Sequence, residues 1–257
     1  MTHPPRLPSA SNLPAAGLFN RSRLTDVRQD CVLCDAADAA ILCAPCRAAL
    51  PRNERACPGC AAPDHSTRCG ACLAAPLMID ATVAAFKYQF PLDRLVQSFK
   101  FNANLVLVDF FAAALAAAVA AKLGGVADQP GNLKTADMTL VALPLANRRL
   151  AERGFNQSAL IADRLGRILG IAVAHQTMLR IRDTPPQAGL SRQARLKNVR
   201  GAFDCAQPIA GKHIVLIDDV LTTGATLSEA AKVLKKAGAA TVHAWVVARA
   251  VMDEARV

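Results

Sequence analysis

Most of the chemistry available to this chain is concentrated in Val215-Leu-Ile-Asp-Asp-Val-Leu-Thr-Thr-Gly-Ala-Thr-Leu227. An apolar run leads into two adjacent carboxylates, Asp218 and Asp219. A turn of small and hydroxyl residues follows: Thr222, Thr223, Gly224, Ala225 and Thr226. The pattern predicts a strand ending at the acid pair, a tight turn, and then a helix start. Turn amides and a helix N-terminus converge on one point, which suits a phosphate dianion, and the three threonines add hydroxyl donors. The carboxylates can accept hydrogen bonds from vicinal hydroxyls. A carboxylate pair beside a phosphate cradle describes a ribose 5-phosphate, as carried by phosphoribosyl pyrophosphate. Two other phosphate motifs are excluded, because the chain contains neither G-x-x-x-x-G-K-[ST] nor G-x-G-x-x-G.

Eight of the nine cysteines form four CxxC pairs: Cys31/Cys34, Cys43/Cys46, Cys57/Cys60 and Cys69/Cys72. The pattern C-x2-C-x8-C-x2-C recurs cysteine for cysteine at a shift of 26 residues, which predicts a duplicated small unit. Two CxxC turns close a tetrahedral sulfur shell around Zn2+, so eight thiolates predict two structural zinc ions. Disulfides fit poorly, because no export signal precedes the cysteines and cytosolic thiols stay reduced. An iron–sulfur cluster also takes four thiolates, but the paired spacing favours zinc. The spacing leaves open whether the pairs combine sequentially or interleave, although the repeat favours sequential sites. Residues 31–72 hold four basic and four acidic residues, and each zinc-thiolate shell adds negative charge. The module therefore suits a structural or partner-docking role better than phosphate binding.

The elements that must position these groups can be read from the rest of the chain. Ala81 to Tyr88 reads as a strand, and Leu92 to Lys100 and Leu105 to Leu123 as helices, the second closed by Gly124–Gly125. Thr139 to Leu145 is a short apolar strand, Ser158 to Leu169 a helix closed by Gly170, and Ile171 to Val173 the start of a strand. Ser191 can cap a basic helix to Asn198. His213 to Ile217 is a strand, Thr226 to Ala237 a helix closed by Gly238, and Thr241 to Ala248 a strand. This alternation predicts an α/β fold: a parallel sheet with helices on both faces and its ligand at the carboxyl ends of the strands.

The formal charge is +10, of which residues 147–200 carry +8, with eleven Lys or Arg against three Asp or Glu. Such a balance favours acidic partners. With aromatics at 4%, a surface of many stacked rings is not expected. The first thirty residues are polar and Pro-rich, without the apolar stretch of a signal peptide, and read as a disordered tail. The longest apolar run, Leu105 to Ala121, is mostly alanine and is interrupted by Asp109. A buried helix is expected there rather than membrane insertion, and a cytoplasmic location follows.

The Val215–Leu227 segment resembles the signature of type I phosphoribosyltransferases. Further segments narrow the resemblance to the ComF family of ComFC and GntX-like proteins. These are Phe86-Lys-Tyr88, Pro91-Leu92 and Phe99-Lys-Phe101; Leu143-Pro-Leu145 before Arg153-Gly-Phe-Asn-Gln157; and Gln187, Leu190, Arg195, Asn198-Val199 and Gly201-Ala-Phe203. With the cysteine-rich start, the resemblance spans about residues 31–250.

This resemblance implies a phosphoribosyltransferase-like parallel sheet with a smaller hood and an N-terminal double zinc ribbon. The expected division is a tail at 1–30, the zinc-ribbon module at 31–76 and the phosphoribosyltransferase-like domain at 77–257. It implies that Asp218 and Asp219 serve the ribose hydroxyls and Mg2+, and that Thr222, Thr223, Gly224, Ala225 and Thr226 hold the 5-phosphate. The pyrophosphate loop is then Leu143, Pro144, Leu145, Ala146 and Asn147, with Arg148, Arg149 and Arg153 as a clamp. Relatives often have His-Pro after the Pro-Leu step, where this chain has Ala146-Asn147, so no histidine role carries over. Arg182, Arg192, Arg195 and Lys197 flank Pro185–Pro186 and Gly189 in a segment that reads as a flap over the diphosphate or as a nucleic-acid contact. The family resemblance also implies a part in DNA uptake or utilisation, with single-stranded DNA and DNA-uptake proteins as partners. No general base for a nucleobase or amine stands out, so ligand binding is better supported than turnover. Two functions stay open: phosphoribosyl transfer to an acceptor the sequence does not name, and ligand sensing joined to DNA handling.

Overall fold

The computed structural model describes residues 29–38, 40–123, 137–183 and 192–250. Most of the expected N-terminal tail, the Gly124–Gly125 stop, the flap residues Pro185–Pro186, Gln187, Gly189 and Leu190, and the Ser191 cap lie outside the described residues.

The cysteine-rich segment opens with β1 (Gln29–Asp30) and β2 (Ala37–Asp38), an antiparallel pair. Two one-turn helices follow, α1 (Ala44–Ala48) and α2 (Gly70–Ala74). Cys43 and Cys69 occupy the N-cap positions of these helices with matching dihedrals, φ −61° and ψ 158° against φ −70° and ψ 161°. The sequence repeat is thus a repeat of backbone geometry.

The remaining elements are β3 (Ala81–Tyr88), α3 (Leu92–Phe101), α4 (Leu107–Leu123), β4 (Met138–Ala142), α5 (Asn147–Arg153), α6 (Gln157–Leu169), β5 (Ala172–Val173), β6 (Met178–Arg180), α7 (Arg192–Val199), β7 (Phe203–Cys205), β8 (His213–Leu221), α8 (Ala225–Lys236) and β9 (Thr241–Ala250). Five strands form one sheet in the order β3-β9-β8-β4-β5, and every pairing in it is parallel. β6 and β7 pair antiparallel in a separate ribbon.

Alternation along the strands divides the core into two layers. Val215 and Ile217 of β8, with Trp245 and Val247 of β9, face a cluster built by α3, α4 and α6. Ile214, Leu216, Val242, Ala244 and Val246 face the opposite layer, built on Leu227, Ala230, Ala231 and Leu234 of α8. Alanine-rich α4 packs closely against α6 and β3, and its Leu107, Phe111, Leu115 and Val119 are buried. This places the apolar run of the sequence inside the core. Among the described residues, no helix is long and apolar enough to cross a membrane. Gly166 of α6 lets β5 approach, since a Cβ there would meet Val173 Cγ2 at 2.7 Å and the Ile171 carbonyl at 2.8 Å.

The first half of the cysteine segment belongs to the larger layer. Cys31, Leu42, Cys43 and Leu50 are buried in one cluster with Phe86, Phe99 and Trp245. The Phe86 ring stacks on Phe110 with centroids 6.1 Å apart and carries the Arg52 guanidinium on a face, 4.7 Å from its centroid.

Candidate functional site

β8 does not end at the acid pair. It continues to Leu221, because Val220 and Leu221 still pair with Ala248 and Arg249 of β9. Asp218 and Asp219 therefore sit on a strand near its carboxyl end, and the turn Thr222–Gly224 leads into α8. Gly224 holds φ 78°, a left-handed conformation suited to glycine, as the N-cap residue of that helix.

A cleft of about 780 Å³ opens over this end of the sheet. Asp218, Asp219, Thr222 and Thr226 line one side, and Leu143, Pro144 and Leu145 line another. Arg149 and Arg153 reach it from α5, Arg180 from β6, and Lys100 from α3. Four cations thus converge on one cleft with two carboxylates, which is what a polyphosphate chelated by a divalent cation demands.

The acid pair is held asymmetrically. Lys100 Nζ lies 2.8 Å from Asp219 Oδ1. Asp218 Oδ1 accepts from the Ser158 hydroxyl at 3.0 Å and from the Asp219 backbone N–H at 2.9 Å. Burial and the adjacent charge of Asp219 push the Asp218 carboxyl up to about 7, against the opposing effect of Lys100. Among the described residues Asp218 has no direct ion pair, and a divalent cation in the cleft would favour its charged form. The donor set fits Mg2+, a hard ion that takes carboxylates together with substrate oxygens.

The start of α6 ties the walls together. Asn156, its N-cap residue, accepts from the Ser158 N–H at 3.0 Å and donates from Nδ2 to the Leu143 carbonyl at 3.1 Å. Between them, Gln157 is 1% exposed and lines the cleft, and its Nε2 has no hydrogen-bond partner among the described residues. Phe101 stands 71% exposed at the cleft rim, with the Arg153 guanidinium 5.2 Å from its ring centroid.

Not every expected residue reaches the cleft. Ala146 is buried as the N-cap residue of α5. Asn147 begins that helix, and its backbone N–H donates to Asp183 at 3.1 Å. Arg148 points to solvent and pairs with Glu152 at 2.9 Å. Arg182 donates to the carbonyls of Asn198 at 2.9 Å and Arg200 at 2.5 Å, so it braces the end of α7. Arg192, Arg195 and Lys197 lie on α7; Lys197 is exposed, and the side chains of the other two lie outside the described residues. Arg180, Lys100 and Gln157 carry no role in the sequence reading. Lys100 and Gln157 do stand inside the motifs Phe99-Lys-Phe101 and Arg153-Gly-Phe-Asn-Gln157, and that placement was the available signal.

The cysteines gather sequentially: Cys31, Cys34, Cys43 and Cys46 in one cluster, and Cys57, Cys60, Cys69 and Cys72 in the other. Within each cluster the four Sγ atoms lie within 4.8 Å of one another. Cys34 and Cys43 are 3.7 Å apart and Cys60 and Cys69 3.6 Å. A tetrahedral shell with Zn–S of about 2.3 Å separates its sulfurs by about 3.8 Å, whereas a disulfide needs about 2.05 Å. Cys31 Sγ accepts from the Cys43 N–H at 3.4 Å, and Cys57 Sγ from the Cys69 N–H at 3.2 Å. Burial opposes charge on Cys31 and Cys57, but backbone N–H groups outweigh it and bring both thiols down to about 6. Both clusters are compatible with structural zinc in a double zinc ribbon.

A parallel sheet flanked by helices, an acid pair and threonine turn at the carboxyl end of its central strand, and a small antiparallel ribbon define a protein of the type I phosphoribosyltransferase fold. A family model described as "Phosphoribosyl transferase domain" matches residues 158–256. The chain is 37% identical to the DNA utilization protein YhgH of Salmonella typhimurium over 81% of this chain and 90% of that protein. It is 33% identical to competence protein F of Haemophilus influenzae, over 72% and 80% of the two chains. With competence protein ComFC of Streptococcus pneumoniae the identity is 28%, over 82% and 89%. The chain belongs to the ComF family.

Proposed function

We propose that this chain binds phosphoribosyl pyrophosphate with Mg2+ in the cleft and serves DNA uptake or utilisation through single-stranded DNA binding. The observation that carries the ligand reading is the acid pair Asp218 and Asp219 beside a threonine turn in one cleft, faced by Arg149, Arg153 and Arg180. Asp218 and Asp219 take the ribose hydroxyls and would hold Mg2+, with Lys100 orienting Asp219. Thr222, Thr223, Gly224, Ala225 and Thr226 hold the 5-phosphate. Leu143, Pro144 and Leu145 present backbone to the pyrophosphate, which Arg149 and Arg153 clamp. When bound, Mg2+ would neutralise the diphosphate and make it a better leaving group. The cysteine segment, residues 31–76, is a double zinc ribbon on a phosphoribosyltransferase-like domain, residues 77–257. The DNA reading is supported by the names of the relatives and by the +8 carried by residues 147–200.

The test is calorimetry with phosphoribosyl pyrophosphate and Mg2+. Replacing Asp218 and Asp219 together with Ala removes buried hydrogen-bond acceptors, and affinity is expected to fall at least about tenfold. Unchanged affinity in the double variant sinks the assignment. Exposed Phe101 at the rim favours a second reading, transfer of phosphoribosyl to a nucleobase or amine, because an exposed aromatic ring beside the Arg153 guanidinium can stack on a planar ring. Pyrophosphate release across nucleobases and amines, with and without single-stranded DNA, separates the two readings.

A further inference from the structure

We propose that Arg249 is a positioning residue that makes the phosphate turn depend on the second cysteine cluster; this rests on the ligand reading above. Arg249 ends β9 and is 8% exposed. Its Nε donates to the carbonyl of Cys60 at 2.9 Å. Its Nη1 donates to the carbonyls of Leu221 at 3.1 Å and Ala250 at 2.6 Å, and to that of Thr222. One guanidinium therefore grips a cysteine of the second cluster and the first residues of the threonine turn. Lysine, with a single ammonium at the end of a flexible stem, cannot present the same rigid fork.

Charge gives the bridge a reason to depend on metal. A buried guanidinium is costly unless compensated, and among the described residues no carboxylate pairs with Arg249. Four thiolates around Zn2+ carry a formal charge of about −2. The loaded second cluster thus supplies the negative charge that the guanidinium lacks. Other contacts fix the same junction. Thr82 of β3 holds the Cys57–Cys60 knuckle, donating from its hydroxyl to Gly59 at 2.8 Å and from its N–H to Pro58 at 2.8 Å. Leu77, just after the cluster, packs so tightly on Gly224 that a Cβ there would lie 2.8 Å from Leu77 Cδ1. The Met78 N–H donates to Ser228 Oγ of α8 at 3.0 Å. The first cluster packs instead into the core on the other sheet face.

Coupling between two sites is reciprocal. Zinc in the second cluster steadies the turn for phosphate, and phosphate in the turn steadies that zinc. The probe is ribose 5-phosphate, which lacks a metal-chelating diphosphate. In the full chain, Arg249→Lys is expected to bind it about tenfold more weakly by calorimetry while retaining two zinc ions. In the wild type, saturating ribose 5-phosphate is expected to slow chelator-driven release of one zinc of the two, followed with a chromogenic indicator. This second arm needs no variant to fold. Wild-type affinity in Arg249→Lys, or zinc release that ribose 5-phosphate leaves unchanged or slows equally at both clusters, overturns the coupling. A wild type that binds neither ribose 5-phosphate nor phosphoribosyl pyrophosphate sinks the cleft assignment and the coupling with it.

Discussion

Lys100 reaches from the last turn of α3 to Asp219 on β8, Nζ to Oδ1 at 2.8 Å, and leaves the neighbouring Asp218 with a hydroxyl and a backbone N–H as its partners. The two carboxylates are adjacent in sequence, yet among the described residues only Asp219 is ion-paired. That difference makes the cleft sensitive to pH.

The Asp218 carboxyl is raised from 3.8 to about 7 by burial and by Asp219. Its folded value exceeds its unfolded one, so its contribution to stability is complete below about pH 4 and is lost as pH rises through about 7. Wild type without ligand is therefore expected to lose melting temperature relative to Asp218→Asn between about pH 4 and 7, the window those two values set. Mg2+-dependent ligand affinity runs the other way and rises through the same window. Lys100→Met, which removes a charge that lowers Asp218, moves both transitions upward. Parallel melting curves for wild type and Asp218→Asn across this range contradict the assignment.

Gln157 offers a buried donor that no group among the described residues accepts. An unsatisfied buried donor costs about 1–3 kcal/mol, and methionine fills nearly the same volume without it. Gln157→Met is expected to raise the unfolding free energy by about 1 kcal/mol while weakening phosphoribosyl pyrophosphate binding by about tenfold. Urea denaturation and calorimetry read the two effects separately. A variant that is both less stable and unaltered in binding would show that Gln157 faces the core and not a ligand.

Metal analysis of purified protein is expected to give two zinc ions per chain, one for each cysteine cluster. One zinc, or iron in place of zinc, refutes the count or the metal. Because the knuckles have little apolar core of their own, stripping both ions should unfold the cysteine segment, visible as lost protection of its amides.

Single-stranded DNA binding is expected to be weak, tolerant of sequence and steeply dependent on salt. Replacing Arg192, Arg195 and Lys197 together should reduce the salt slope by about two to three units, read by anisotropy of a labelled oligonucleotide. No binding by the wild type at low salt removes the DNA reading and leaves the small-molecule transferase.

The elements legible in the sequence were those with a strong local pattern. Ala81–Tyr88 forms a strand with the expected bounds, and the apolar run at His213–Ile217, the threonine turn and the helix after it all form. β8 runs past the acid pair that reads as its end, because pairing of Val220 and Leu221 with β9 is set by a strand more than twenty residues on. α5 escaped because Asn147-Arg-Arg-Leu-Ala-Glu-Arg153 has one large apolar residue and no period. β6 and β7 are three residues each and find one another across α7. The parallel fold followed from the strand–helix rhythm, whereas the cysteine pairing, which the spacing leaves open and the repeat only favours as sequential, is settled by the fold that gathers the thiols. Arg249 carried no signal at all, since its partners Cys60 and Thr222 are brought to it only by the folded chain.

Cys31, Leu42, Cys43 and Leu50 share one buried cluster with Phe86, Phe99 and Trp245, and this bears on how such proteins can diverge. A segment whose leucines are roofed by another segment's phenylalanines cannot be traded between relatives as a cassette. A chimaera joined just before β3 would set the grafted Arg52, Leu42 and Leu50 against a foreign residue at Phe86, and would have to exchange that residue along with the graft. The cysteine ribbon is inherited together with the sheet it covers, and drift at Leu42 or Leu50 is answerable to the packing of Phe86.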